Sequence, residues 1–292
     1  MTRLLQLESS RVDTERAEQK QVDLRCLLRE MGGIVLGYSG GVDSTFLAKV
    51  AQEELGERAV AVVALSESYA EREREAALAL AAEFGIRLHA VETSELANPE
   101  YAANPKNRCY FCKDELFRHL RAVADAEGIE WIAYGAIADD RGDYRPGAVA
   151  AQEWKARAPL QEVKLWKAEI RHLSRQLGLP TWDKPSLACL SSRIPYGTPV
   201  TADLLRRLDA AEAFLHDLGF RQVRVRHHDT IARIEIERSE FPRVLEPGVS
   251  ERITERLKEL GYTFVTLDLA GYRTGSLNVG IQKGNEHGNG AA

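Results

Sequence analysis

Cysteine is scarce in this chain. Cys26, Cys109, Cys112 and Cys189 are spread over 292 residues, too few for a disulfide framework. In a reducing compartment such residues are core residues, metal ligands or reactive thiols. No apolar run is long enough to span a bilayer. Met1 to Gln21 is charged and lacks the apolar core of a secretory signal, so the expectation is a cytoplasmic protein without a membrane partner. Nor is there an excess of positive charge: the net charge is −5, which argues against an obligate nucleic-acid binder. What is present, 44% apolar and 28% charged residues, suits a globular chain with a real core. The length suggests two domains, or one large domain with an appendage. No internal repeat is visible.

From Gly33 onward apolar runs alternate with helical periodicity. Ile34–Tyr38, Ala59–Leu65, Ile86–Val91 and Ile129–Tyr134 read as buried strands. Helices are expected around Val22–Glu30, over the residues after Asp43, and over Glu71–Phe84, Lys113–Ala126 and Lys167–Leu177. This order predicts an α/β fold with a parallel sheet covered on both faces. Thr181–Pro199 reads as a long Pro- and Gly-containing loop, a length that points to function or disorder. Residues 203–282 read as a smaller α+β unit. Helices are expected over Leu204–Leu218 and Ser250–Leu260, and a strand over Thr263–Leu269. Gln222–Arg226 and Arg233–Glu237 alternate apolar and charged residues, which predicts half-exposed antiparallel strands. The expected division is an N-terminal extension (1–20), the α/β domain (21–180), a cysteine loop (181–200), the α+β domain (201–283) and a disordered tail (284–292).

Between the first strand and its helix lies Ser39-Gly40-Gly41-Val42-Asp43-Ser44. Two glycines let backbone N–H groups converge, the helix N-terminus adds positive partial charge, and Ser39 and Ser44 add hydroxyls. This is phosphate-binding geometry. A Walker loop would need a Gly-Lys pair, and a dinucleotide fingerprint would need Gly-x-Gly-x-x-Gly; both are absent. Asp43 beside a polyanion makes sense if it holds Mg²⁺ or caps the loop. Ser66, Gly135, Asp139 and Asp140 follow strands at the same carboxyl edge, where ligands of such sheets bind. Asp139 and Asp140 suit either a Mg²⁺ site or a solvated loop. The hexapeptide resembles the loop of the PP-loop ATP pyrophosphatases, which include GMP synthetase, NAD synthetase, asparagine synthetase and the tRNA thiolases. That resemblance implies cleavage of ATP between the α and β phosphates.

The second signal is Lys184-Pro185-Ser186-Leu187-Ala188-Cys189-Leu190-Ser191-Ser192-Arg193-Ile194-Pro195-Tyr196-Gly197. A thiol in a loop flanked by cations fits a reactive cysteine better than a packed one. Together with Asp139-Asp140 and Asp143-Tyr144-Arg145-Pro146-Gly147, this run resembles the LarE family over about Gly33 to Gly280. LarE proteins are ATP-dependent sacrificial sulfur transferases that help make the nickel-pincer cofactor of lactate racemase.

The resemblance implies ATP and Mg²⁺ as cofactors and a pyridinium dicarboxylic acid mononucleotide as substrate. ATP adenylates a ring carboxylate, Cys189 displaces AMP, and elimination then leaves dehydroalanine at 189. Arg224 and Arg226 share one face of a strand while Val223 and Val225 face the core. Composition alone favours a solvated charged face for the arginines; the resemblance implies a phosphate clamp. It also brings Ser192, Arg193 and Glu212 to the substrate, and leaves Lys184 or Glu212 as the base. It further implies a homo-oligomer and a downstream nickel-insertion protein as partner.

Cys109 and Cys112 form a single C-x-x-C without a second ligand pair, which leaves a zinc site or a redox disulfide open but favours one packed and one exposed thiol near a helix start. Three rivals stand beside this reading. A tRNA thiolase would need a basic surface, yet residues 203–259 hold eleven Lys and Arg against twelve Asp and Glu. An ammonia-using ligase would need a glutaminase domain, for which there is no room. A nucleotide sensor would bind ATP without cutting it.

Overall fold

A computed structural model describes residues 12–140, 146–186 and 188–273. The Asp143–Arg145 part of the motif above, Leu187 and the tail from Gly284 lie outside these residues. The chain divides into two compact units. The first comprises residues up to 66, 73–95 and 107–184; the second comprises 67–72, 96–106 and 185 onward.

The first unit is an α/β layer structure. Helix α1 (Thr14–Met31) precedes strand β1 (Ile34–Gly37), which feeds α2 (Val42–Leu55). Then come β2 (Ala59–Leu65), α3 (Glu71–Glu83), β3 (Leu88–Glu92), α4 (Arg108–Glu127), β4 (Trp131–Ala133), α5 (Pro146–Glu153) and α6 (Lys167–Gln176). The four strands are parallel in the order β3-β2-β1-β4. This is the parallel sheet that the alternating pattern implied. The chain builds outward from β1 through β2 to β3, then crosses to the other side of β1 for β4. The order therefore reverses between β1 and β4, and the crevice beyond their carboxyl ends is the topological switch point where ligands of open sheets bind.

The core explains the strand sequences. Val35, Val60 and Val62 pack with Phe117, Leu120 and Ala124 of α4 and with Ala150 and Ala151 of α5. On α2, Phe46, Leu47, Val50 and Ala51 are buried. Each fully buried Val, Leu, Ile or Phe side chain contributes about 1.5–3 kcal/mol relative to exposure.

Two helices begin earlier than expected. Helix α1 starts at Thr14, not near Val22, because the Asp13 side chain accepts from the Arg16 N–H and caps it. Its polar residue Lys20 is buried, bonding both carboxylate oxygens of Glu169 at 2.6 and 2.7 Å and the Lys164 carbonyl at 2.8 Å. A buried lysine hides the helical period. Helix α4 starts at Arg108 rather than Lys113, so Cys109 and Cys112 belong to its first turns.

In the second unit, α7 (Ala202–Asp217) leads into β5 (Val223–His228) and β6 (Ile231–Ile236), followed by α8 (Val249–Glu259) and β7 (Phe264–Leu267). The sheet order is β5-β6-β7, antiparallel between β5 and β6 and parallel between β6 and β7. Thr201 caps α7 by accepting from the Leu204 N–H. The strand β7 is shorter at both ends than the expected Thr263–Leu269. The expectation of half-exposed strands fails at β5, where both faces are buried: Val223 and Val225 are fully inaccessible, and Arg224 and Arg226 are only 6% and 7% exposed. Arg224 donates to the Ser186 carbonyl and Arg226 to the Ser192 carbonyl, so both side chains are turned into protein rather than water. The solvated charged face that composition favoured is therefore absent at these two positions. The expected long loop holds two 3₁₀ turns, Pro180–Asp183 and Leu190–Arg193.

Candidate functional site

In the first unit the loop after β1 is shaped by its glycines. Gly40 has φ +59°, and a Cβ there would lie 2.5 Å from the Ala77 Cβ, so only glycine fits. The Ser44 hydroxyl lies 3.2 Å from the Ser39 N–H, from which it accepts, and 3.1 Å from the Ser39 hydroxyl. Gly135, after β4, backs onto the same helix start: a Cβ would come within 3.3 Å of the Ser44 nitrogen. The switch-point crevice is thus lined from both sides by residues without bulk. The first N–H groups of α2 have no intrahelical acceptor and point out of the helix end, where a phosphate would sit.

Asp43, in the first turn of α2, is bonded through Oδ2 to Lys167 Nζ at 2.5 Å, while its Oδ1 is buried without a hydrogen-bond partner. Burial pushes the Asp43 carboxyl up, Lys167 opposes that, and Asp140 adds to it. Asp139 Oδ2 accepts from the Lys167 N–H at 2.8 Å and so caps α6; Asp140 Oδ2 accepts from the Ile137 N–H. Among the described residues no group of three or more His, Cys, Asp and Glu is placed to hold a metal alone. The donor set is one buried carboxylate oxygen with a second acid nearby. That suits Mg²⁺, which takes one or two carboxylates and completes its shell with waters and substrate phosphates. Ser66, at the carboxyl end of β2, interacts with Glu95, whose carboxyl burial pushes up. Lys184 joins this region as well, donating to the Gly40 carbonyl at 3.2 Å and pairing with Glu73 at 2.7 Å.

In the second unit Cys189 is half-buried, at the start of the Leu190–Arg193 turn. Its carbonyl accepts from the Ser192 N–H at 2.9 Å and from Arg193 Nη1 at 2.9 Å. Arg193 also reaches the Ala188 carbonyl and the Ser192 hydroxyl, so its guanidinium wraps the turn that carries the thiol. It is held from behind by a bidentate bond to Glu212, Nε to Oε1 at 2.9 Å and Nη2 to Oε2 at 2.7 Å. Glu212 accepts in addition from the Val225 N–H at 2.8 Å. Burial works against its ionisation, but Arg193, Arg224 and that N–H outweigh it, and the carboxyl lies below the usual range.

Arg226 pairs with Glu235 at 2.9 Å, and Glu235 is shared with Arg233. Arg224 is different. Among the described residues it hydrogen-bonds only to carbonyls, those of Val223 and Ser186, both at 2.6 Å, and its guanidinium lies 5.4 Å from the centre of the Tyr272 ring. Burial and the neighbouring Arg193 push it below the usual guanidinium range. Among the described residues three buried arginines, Arg193, Arg224 and Arg226, thus lie near two buried carboxylates, Glu212 and Glu235, and Arg224 is the one with no salt bridge to either.

The residues therefore gather in two sets. Ser39, Gly40, Gly41, Asp43, Ser44, Gly135, Asp139, Asp140, Lys184 and, by strand order, Ser66 line the crevice end of the first unit. Cys189, Ser192, Arg193, Glu212, Arg224 and Arg226 cluster in the second. Sequence reading passed over Lys167 and the segment 101–104. Tyr101 bonds Ser191 at 2.7 Å, and Asn104 Nδ2 donates to the Pro195 and Thr198 carbonyls, both at 2.8 Å. Asn104 has φ +56°, and an Asn after a short apolar stretch was the one local cue. Of the C-x-x-C pair, Cys109 is exposed and Cys112 half-buried, its Sγ donating to Glu95 Oε1 at 3.5 Å.

Comparison with known proteins follows this division. Residues 20–124 match the NAD synthase family model. The chain is 45% identical over 261 residues to an uncharacterized protein of Synechocystis sp., covering 89% of this chain and 97% of that protein. It is 36% identical over 265 residues to the pyridinium-3,5-bisthiocarboxylic acid mononucleotide synthase of Lactiplantibacillus plantarum, covering 90% and 95%. One subunit of the glutamine-hydrolyzing GMP synthase of Thermococcus kodakarensis is 27% identical over 175 residues, 56% of each chain.

Proposed function

The chain belongs to the LarE family, that of pyridinium-3,5-bisthiocarboxylic acid mononucleotide synthase, and from that premise we propose that it is an ATP-dependent sulfur transferase that consumes its own Cys189. The single observation that carries this reading is buried Arg224, which among the described residues hydrogen-bonds only to carbonyls and neighbours the Arg193 that wraps the Cys189 turn. A thiol near buried guanidinium groups suits a substrate that bears a phosphate and carboxylates.

The loop at Ser39 takes the β and γ phosphates of ATP, and the substrate carboxylate attacks the α phosphorus, giving an acyl-adenylate and pyrophosphate. Backbone N–H groups and hydroxyls aimed at the leaving group stabilise its charge as it develops. Mg²⁺, held by Asp43 with Asp140 or Asp139 nearby, would neutralise part of the phosphate charge. The Cys189 thiolate then attacks the acyl carbon and AMP leaves, forming a thioester to the protein. A base removes the Cys189 α-proton, the Cβ–Sγ bond breaks with its electron pair on sulfur, and a thiocarboxylate departs. Residue 189 becomes dehydroalanine, so two sulfurs consume two chains.

Within this scheme Arg224 and Arg226 bind the phosphate of the mononucleotide. Ser192 and Arg193 shape the turn. Glu212, locked by two bonds to Arg193, serves as its anchor; that engagement weakens its case as the base and leaves Lys184 as the candidate. The product would pass to a nickel-insertion protein in maturation of an enzyme such as lactate racemase. Among the described residues no helix is long and apolar enough to cross a membrane.

Intact-mass analysis tests the reading. With Mg-ATP and pyridinium-3,5-dicarboxylic acid mononucleotide, the chain should lose the mass of one H₂S at residue 189 and release pyrophosphate. Many turnovers at unchanged mass would overturn it. The tRNA thiolase alternative predicts tight, salt-sensitive binding of tRNA, which the near-neutral charge of residues 203–259 argues against.

A further inference from the structure

We propose that Cys109 and Cys112 form a redox-active dithiol. Cys109 attacks a low-molecular-weight disulfide, and Cys112, giving its proton to Glu95, resolves the mixed disulfide into a Cys109–Cys112 bond. The residues involved all lie in the first unit, and the proposal does not rest on the sulfur-transfer reading.

Both residues are thiols in this structure, Cys109 exposed and Cys112 half-buried. They sit three apart on the first turns of α4, on one side of the helix. The other side of the same turns is fixed to the end of α5: Tyr110 Oη donates to Glu153 Oε2 and Trp154 Nε1 donates to Asp114 Oδ1, both at 2.7 Å. Cys109 is therefore presented outward by an anchored helix start. Positive partial charge at a helix N-terminus stabilises an anion, and the thiolate is the attacking form in disulfide exchange. No acidic residue stands in that first turn to oppose it. A C-x-x-C among alternating strands and helices suits this chemistry.

Helical residues three apart hold their Cβ atoms about 5–6 Å apart, and a disulfide needs about 3.5–4.5 Å. A first turn can close that gap by tightening toward 3₁₀ form, in which such residues eclipse. The Tyr110 N–H already donates to the Asn107 carbonyl at 2.8 Å, a three-residue bond. Cys112, less accessible, needs a proton acceptor, and Glu95 supplies one. Glu95 is 5% exposed. Its Oε1 accepts from Cys112 Sγ at 3.5 Å, and its Oε2 is buried without a hydrogen-bond partner among the described residues. Burial, with Glu115 nearby, raises this carboxyl, so it takes a proton more readily than a surface glutamate. The exchange balances. The Cys109 thiolate attacks one sulfur of the disulfide and the other leaves as a thiolate. Cys112 then attacks the Cys109 sulfur and the second thiolate leaves. The two cysteines lose two electrons and two protons, and the disulfide gains them as two thiols.

Timed exposure of the reduced full chain to glutathione disulfide tests this directly, with acid quenching, alkylation of the remaining thiols and tryptic mass analysis. Trypsin cuts after Arg108 and Lys113, so both thiols fall in the one peptide Cys109–Lys113. In the wild type that peptide should appear unalkylated and two hydrogens lighter than the dithiol. It should form several-fold faster than the glutathione adduct on exposed Cys26, and dithiothreitol should reverse it. A pair still alkylated as thiols after Cys26 has reacted, or one carrying glutathione without ever closing, overturns the proposal. In a second arm, folded Cys112→Ser should stall as a glutathione adduct on Cys109. Folded Cys109→Ser should take up glutathione at Cys112 several-fold more slowly; equal rates would overturn the order of attack. Glu95→Gln should leave the first adduct's rate unchanged and slow closure several-fold. Closure at the wild-type rate overturns the role of Glu95.

Discussion

The loop at Ser39 and the turn at Cys189, both proposed to receive anions, are built in opposite ways. The loop relies on main chain: small residues, a left-handed glycine, a helix end and two hydroxyls. The turn relies on long charged side chains buried against one another. Backbone donors cost little to keep in place, because each helix has them anyway. Buried arginines are expensive to desolvate unless paired, so this region is assembled largely from ion pairs, Arg193 with Glu212 and Arg226 with Glu235. In the proposed function the first construction would take a leaving group common to many reactions, and the second one particular substrate.

The contrast can be broken most decisively at the thiol. Cys189→Ala should abolish sulfur transfer yet retain pyrophosphate release, since in the proposed scheme the thiol acts only after pyrophosphate has left. Loss of pyrophosphate release, measured by a coupled colour assay, would show that the two regions cannot be separated.

Glu212→Gln should have the next largest effect. It leaves buried Arg193 without its counter-charge, which costs about 3–5 kcal/mol for a broken buried pair. Its pH dependence carries a sign. The folded carboxyl titrates below its ordinary value, so its stabilising contribution is complete above the usual carboxylate range and is lost as pH falls through the depressed folded value. Urea titrations of wild type and variant should therefore converge only in acid.

Arg224→Ala should weaken substrate binding by about 1.5–3 kcal/mol, tenfold or more in KM for the mononucleotide. Because Arg224 has no ion-pair partner among the described residues, the free protein should lose little stability. A large drop in Tm with unchanged KM would assign it to structure instead.

The smallest effect belongs to the loop. Burial raises the folded Asp43 carboxyl, the reverse of Glu212, so its ionised form costs stability above the raised value, and the penalty is relieved as pH falls through that value toward the ordinary carboxylate range. Asp43→Asn should leave Tm at neutral pH equal or slightly higher while impairing ATP use. A marked fall in Tm would mean that the Lys167 pair stabilises the fold.

Legibility follows the same divide. Strands β1 to β4 stand out in the sequence because a parallel strand buried on both faces is a continuous apolar run, and the loop stands out because its chemistry lies in consecutive residues. The β5 strand misleads, since Arg224 and Arg226 imitate a solvated face. What covers them comes from residues 186–192, more than thirty positions away. Helix α1 is under-read for the same reason: Lys20 is buried by Glu169, 149 residues distant. Lys167 gives no local signal, because it follows a tryptophan at an ordinary helix start and gains meaning only from Asp43, 124 residues earlier.

Legible in the sequence alone, then, are the parallel sheet and the two segments, Ser39–Ser44 and the run around Cys189, on which the proposed function rests. Each rests on neighbours in the chain or on periodicity, which short-range sterics and hydrophobicity dictate. Tertiary structure alone decided which charges are buried, which are paired and which is left over. Those outcomes depend on desolvation and Coulomb energy between residues far apart in sequence, and at Arg224 that balance leaves a buried guanidinium whose hydrogen bonds, among the described residues, go only to carbonyls.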